Sequence, residues 1–183
     1  MGLTAHSLGI MTSAIVLGAL LGAFGAAFGH LEQRLAALMI SAIGVPLAAR
    51  DIGAIRFPIP QLQRQTQKTW RHRFGPLMSA WLWGLDLGSG LTTLVNYAVY
   101  WILPLAAILR GDVVYGSVLL GLFGVGRTVV TAAVSLAFRR DPNFKPHDLL
   151  GLQHRAVLVR RVHTACAAAL LMSVGGCALS GRY

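Results

Sequence analysis

Five apolar blocks, parted by short polar connections, constrain this chain more than any other feature. They run from about Leu8 to Gly29, Leu35 to Ala49, Phe74 to Leu109, Val113 to Phe138 and Val162 to Ser180. A helix needs about 20 apolar residues, at about 1.5 Å rise each, to cross about 30 Å of hydrocarbon. The second block reaches that length only by taking in its flanks, over about 33–50. The third, 74–109, is too long for one straight span and must be tilted, extended beyond the bilayer or broken. Only 12% of the 183 residues are charged and 55% are hydrophobic, with a mean hydropathy of +0.63. So few polar side chains cannot coat a soluble globule. The sequence therefore predicts an all-α polytopic membrane bundle: one transmembrane domain with about five spans over residues 1–183. No Lys or Arg precedes Arg34, so the first block lacks the basic start of a signal peptide and is read as a retained span.

The charge distribution predicts an orientation. The connection 51–73, with Arg50 at its edge, carries Arg56, Arg64, Lys68, Arg71 and Arg73 against Asp51 alone. The connection 139–161 carries Arg139, Arg140, Lys145, Arg155, Arg160 and Arg161 against Asp141 and Asp148. The other two connections are neutral. Two basic loops separated by two spans share a side, and the positive-inside rule makes that side cytoplasmic. The N-terminus is then cytoplasmic and the C-terminus exoplasmic, in a bacterial-type inner membrane. The net charge of +10 would suggest nucleic acid in a soluble protein. Here no RNA-binding motif accompanies it, and Arg64, Lys68, Arg71, Arg73, Arg139, Arg140, Arg160 and Arg161 are expected to meet lipid headgroups or partner proteins instead.

Blocks one and two recur, in order, as blocks four and five. Leu20-Leu21-Gly22-Ala23-Phe24-Gly25 matches Leu119-Leu120-Gly121-Leu122-Phe123-Gly124, and AALMISAIGVPLAAR (36–50) shares seven of fifteen positions with AALLMSVGGCALSGR (168–182). With the topology above, the repeats are inverted, as in many small transporters. A Gly-rich span (17–29), a short span ending in a basic loop (36–50), a long span with a Gly-rich centre (GLDLGSGLTT, 84–93) and a Gly-Asp turn into another Gly-rich span (111–127) follow one another. In that order the chain resembles the membrane domain of the thiol–disulfide interchange and cytochrome c biogenesis proteins (DsbD/CcdA type). The resemblance implies a three-plus-three inverted repeat lacking its first helix. It also implies a reactive cysteine in the third block, where this chain reads Leu91-Thr92-Thr93-Leu94. Cys166 and Cys177 lie in the last block instead, so what it implies is the scaffold without the redox reaction.

Asp86 and Arg127 are the two charges well inside apolar blocks. Each alone in hydrocarbon costs at least about 2.5–3.5 kcal/mol, so they are expected to pair, as a structural clasp or as a proton or cation site. Gly84 and Gly88 form a small-xxx-small pair that lets helices approach closely, whereas Gly88-Ser89-Gly90 is equally able to break the helix. Gly18, Gly22 and Gly25 on block one, and Gly121 and Gly124 on block four, make similar stripes. The histidines (His6, His30, His72, His147, His154, His163) do not match as a bis-histidine haem site, and no catalytic motif is present. No cofactor is expected; bound lipids are. Three function classes stay open: a non-catalytic accessory or assembly subunit of a larger membrane complex, a small solute or ion transporter using Asp86 and Arg127, and a thiol redox carrier.

Overall fold

The computed structural model describes residues 2–29, 31–58, 70–90 and 97–140. The fifth apolar block, with Cys166 and Cys177, and the basic residues Arg64, Lys68, Arg160 and Arg161 lie outside the described residues. Within them the chain is all-helical, with helices α1 (Gly2–Ala27), α2 (Gln33–Asp51), α3 (Trp70–Ser89), α4 (Ile102–Arg110) and α5 (Val113–Arg140). A 3-10 turn, Ala98–Trp101, leads into α4. By length and composition, Gly2–Ala27 and Val113–Leu136 are long and apolar enough to cross a membrane, and Ala98–Arg110 is a shorter apolar helix.

The helix α1 is central, because its glycines lie on opposite faces. Nine residues separate Gly9 from Gly18, half a turn apart at 100° per residue. The Gly9 face meets α3: a Cβ there would run into the Trp81 carbonyl and come within 3.0 Å of Gly84 Cα. The face carrying Gly18, Gly22 and Gly25 meets the start of α5 and the end of α4. A Cβ on these would strike the carbonyls of Gly116, Asp112 and Ile108 in turn. Ile10 and Ala14, fully buried, fill the space between.

The same contacts give the helix directions. Along α1 and α3 the neighbours ascend together: Gly84 meets His6 and Gly88 meets Ile10 and Ser13. These helices are parallel, and His6 Nδ1 tightens the pair with a 3.1 Å contact to the Ala80 carbonyl. Along α1 and α5 the order reverses, Gly18 meeting Gly116 and Ala14 meeting Gly124, so these are antiparallel. The helix α2 runs antiparallel to α4 on the outside: Gln33 and Ala37 share a cavity with Ala106 and Arg110, while Asp51 at its other end reaches Ala98.

The third apolar block is not one helix. It bends at Gly75 (φ 73°, ψ 172°), just before Pro76, because a proline pushes its predecessor out of helical geometry. Ser79 Oγ donates to the Gly75 carbonyl at 2.6 Å, across the first turn after the bend. The block then stops at Gly90, whose φ of +64° is left-handed and suits glycine. It resumes at Ala98. Close packing and chain breaking, taken above as alternatives for the GLDLGSG glycines, are both used: Gly84 and Gly88 abut α1, and Gly90 ends the helix.

Candidate functional site

The break in the third block is where the polar chemistry of the described residues gathers. A helix that stops leaves carbonyls without partners, and one that starts leaves N–H groups without partners. Both needs are met by residues from other helices. At the resuming end, Tyr97 is extended and supplies no side-chain cap. Asp51, the last residue of α2 and 47 positions earlier, takes that role. Its Oδ1 accepts the Ala98 N–H at 2.8 Å and its Oδ2 accepts the Val99 N–H at 3.0 Å. The Asp51 side chain is fully buried, with Arg50 Nη1 3.7 Å from Oδ1. A carboxylate at the positive end of a helix dipole is favourably placed.

At the stopping end the charge is reversed, as the dipole requires. Arg127 of α5 donates through Nη1 to the Leu87 carbonyl, which also accepts the Gly90 N–H at 3.3 Å. Tyr100 donates its hydroxyl to the Ser89 carbonyl at 3.0 Å, and Ser89 Oγ donates to the Asp86 carbonyl at 2.9 Å. Phe123 holds this end together, its ring centroid 4.7 Å from that of Tyr100 and 5.4 Å from the Arg127 guanidinium carbon. A Cβ on Gly90 would collide with the Tyr100 hydroxyl.

The expected meeting of Asp86 and Arg127 thus takes a particular form: Arg127 reaches the helix carrying Asp86 one residue along, at a backbone carbonyl. Asp86 itself is half-buried on the same turn. Asp51 was hidden among basic loop residues, and its signal was that it is the one acid directly following an apolar helix. Gly121 and Gly124 face Ile15 and Ala14 across the α1–α5 seam. The glycine stripes are therefore used inside the chain. The outward surface is instead large and apolar, with Leu20 and Phe24 on α1, Phe28 just after it, and Val114, Val118 and Leu122 on α5 exposed. Arg73 and Arg139 are exposed; Arg71 and Arg140 lie at helix ends.

Chemically, the charged groups at the break hold the chain's own helix ends, while Trp83 Nε1, Trp101 Nε1 and Thr128 Oγ1 are buried without a hydrogen-bond partner among the described residues. A carboxylate occupies the end where an anionic substrate would be drawn, and a guanidinium the end where a cation would be. No group of three His, Cys, Asp or Glu side chains converges among the described residues as a metal site would. Removing the guanidinium in Arg127→Ala is expected to lower stability by about 2 kcal/mol, since it takes a charged donor from a half-buried carbonyl and leaves a void beside Phe123. Thermal unfolding in mild detergent reads this directly. Tyr100→Phe, losing one neutral hydrogen bond, is expected to cost about 1 kcal/mol.

No family model matches the chain, and no solved structure matches it. Among curated proteins it is 31% identical over 129 residues to the methylamine utilization protein MauF of Paracoccus versutus, covering 69% of this chain and 47% of that one. It is 30% identical over 132 residues to MauF of Paracoccus denitrificans, covering 72% and 48%. It is 28% identical over 175 residues to MauF of Methylobacillus flagellatus, covering 95% and 59%. The chain spans about half the length of the relatives it matches. These matches correct the resemblance to the DsbD/CcdA type. That resemblance rested on the order of Gly-rich spans, and such spans recur wherever helices must close together. The aligned relatives place the likeness elsewhere: this chain is similar to the methylamine utilization protein MauF.

Proposed function

We propose that the chain is a non-catalytic accessory or assembly subunit of a bacterial cytoplasmic-membrane complex that serves amine utilization. In this reading it is a polytopic bundle of about five spans with a cytoplasmic N-terminus. It holds its partners through the exposed apolar ridges of α1 and α5 and touches lipid through its basic loops. The observation that carries the reading is the self-capped break. Its charged groups hold the ends of the chain's own helices, which suits a scaffold. The relatives' name supplies the methylamine context.

Extraction in mild detergent, affinity capture and identification of what comes with the chain test this. A stoichiometric membrane partner, and loss of growth on methylamine when the chain is deleted, are expected. A chain that runs only as a monomer, with growth on methylamine unchanged after deletion, would overturn it. The second reading, transport of a small cation or amine, is favoured by the break itself, since discontinuous helices build many transporter sites. Abolished uptake in Asp86→Asn, with the fold retained, would select it over the first.

A further inference from the structure

The end of α2 carries a second polar feature, separate from the break. After Asp51 the chain turns back through Gly53, with the Ile52 N–H on the Ala48 carbonyl at 3.1 Å and the Ala54 N–H on the Ala49 carbonyl at 2.9 Å. Arg50 is fixed across this turn. Its Nε donates to the Phe57 carbonyl at 2.8 Å, and its guanidinium carbon lies 5.7 Å from the Phe57 ring centroid. A cavity of about 480 Å³ opens here, lined by Arg50, Gly53, Ile55, Arg56, Phe57 and Pro58. Arg56 is exposed. The only acid nearby in sequence, Asp51, has its two carboxylate oxygens on the Ala98 and Val99 N–H groups. Arg50 Nη1 lies 3.7 Å from Asp51 Oδ1, so that pair is neutral, and the exposed Arg56 leaves the cavity a net positive charge.

One further observation decides what kind of anion fits. Ile52 and Ile55, beside the arginines, are 38% and 41% exposed, which suits the boundary between headgroups and acyl chains rather than open water.

We infer that the Arg50–Arg56 cavity binds the phosphate of an anionic phospholipid, with the start of its acyl chains against Ile52 and Ile55. The inference rests on the membrane placement proposed above. It narrows the lipid contact from the basic loops at large to one pocket.

Native mass spectrometry of the delipidated full chain in neutral detergent, titrated with phosphatidylglycerol, phosphatidylcholine or inorganic phosphate, tests it. One phosphatidylglycerol should bind in preference to phosphatidylcholine, and equimolar inorganic phosphate should not displace it. Arg56→Gln should weaken that binding by about fivefold, the equivalent of about 1 kcal/mol per basic residue at an anionic surface. Arg34→Gln, exposed at the opposite end of α2, should leave it unchanged. Arg50→Gln should act like Arg56→Gln, but Arg50 also ties the turn to Phe57, so the exposed Arg56 is the decisive variant. Equal binding of the two lipids, or full affinity in Arg56→Gln, would overturn the inference. Displacement by phosphate would overturn the lipid as source. Alkaline carbonate extraction of membranes separates the underlying reading: release of the chain refutes the spanning placement, whereas retention without a lipid preference refutes this inference alone.

Discussion

Asp51→Ala is expected to lower stability by about 3 kcal/mol and to loosen Ala98–Arg110 before the rest of the bundle. The carboxylate is fully buried and accepts two backbone N–H groups. Taking it away leaves at least one buried donor without a partner, at about 1–3 kcal/mol. It also removes a favourable charge from a helix start, worth up to about 2 kcal/mol when partly buried, and strips Arg50 of its nearest acid. Asp51→Asn keeps one carbonyl acceptor in nearly the same shape and should lose about half as much. Thermal unfolding in detergent gives the overall loss. Hydrogen exchange gives its location, with faster exchange expected at Ala98 and Val99 than in α1. A melt for Asp51→Ala that superimposes on the parent's would show that the cap is dispensable.

Replacing Gly18 by leucine should be as damaging, for a different reason. A Cβ at Gly18 already lies within the van der Waals envelope of the Gly116 carbonyl and 3.0 Å from Ser117 Cα. Backbone cannot swing aside as a side-chain tip can, so α1 and α5 must part along their length. Overpacking of this kind costs about 1–3 kcal/mol in ordinary cores, and the rigid neighbours put Gly18→Leu near about 3 kcal/mol. Gly126, on the same helix as Gly121 and Gly124, is the control. Nothing lies within 4 Å of a Cβ there. Gly126→Ala should raise stability by up to about 1 kcal/mol, from helix propensity alone. If both substitutions had small effects of the same sign, the glycine seam would not be what holds α1 to α5.

The apolar blocks mark α1, α2 and α5 to within a few residues at most ends, because a long helix that carries few charges leaves a compositional trace along its whole length. The third block shows where that trace stops. Its length betrayed a break, yet hydropathy is silent on backbone dihedrals, and only the positive φ of Gly90 fixes where the helix ends. Arg127 stands out in the sequence as a charge inside an apolar block. One group it reaches is a backbone carbonyl, and every residue has one, so no side-chain pattern could point to Leu87. Asp51 was counted as a loop charge for a similar reason. Its role depends on a contact across 47 residues, which a local reading cannot supply. The glycine stripes told that helices approach closely. They could not tell that the neighbours are the chain's own.

The central position of α1 sets a timetable for synthesis. Among the described residues, what covers the two glycine faces of this helix is made after it: α3 against Gly9, then α4 and α5 against Gly25, Gly22 and Gly18. Roughly 100 residues separate Gly18 from Gly116, and at about 5–20 residues per second the ribosome needs about 5–20 s to supply them. For that interval α1 holds open a groove cut for backbones that do not yet exist. A chaperone, an insertase or a partner subunit with a smooth helix face of its own has those seconds in which to bind it.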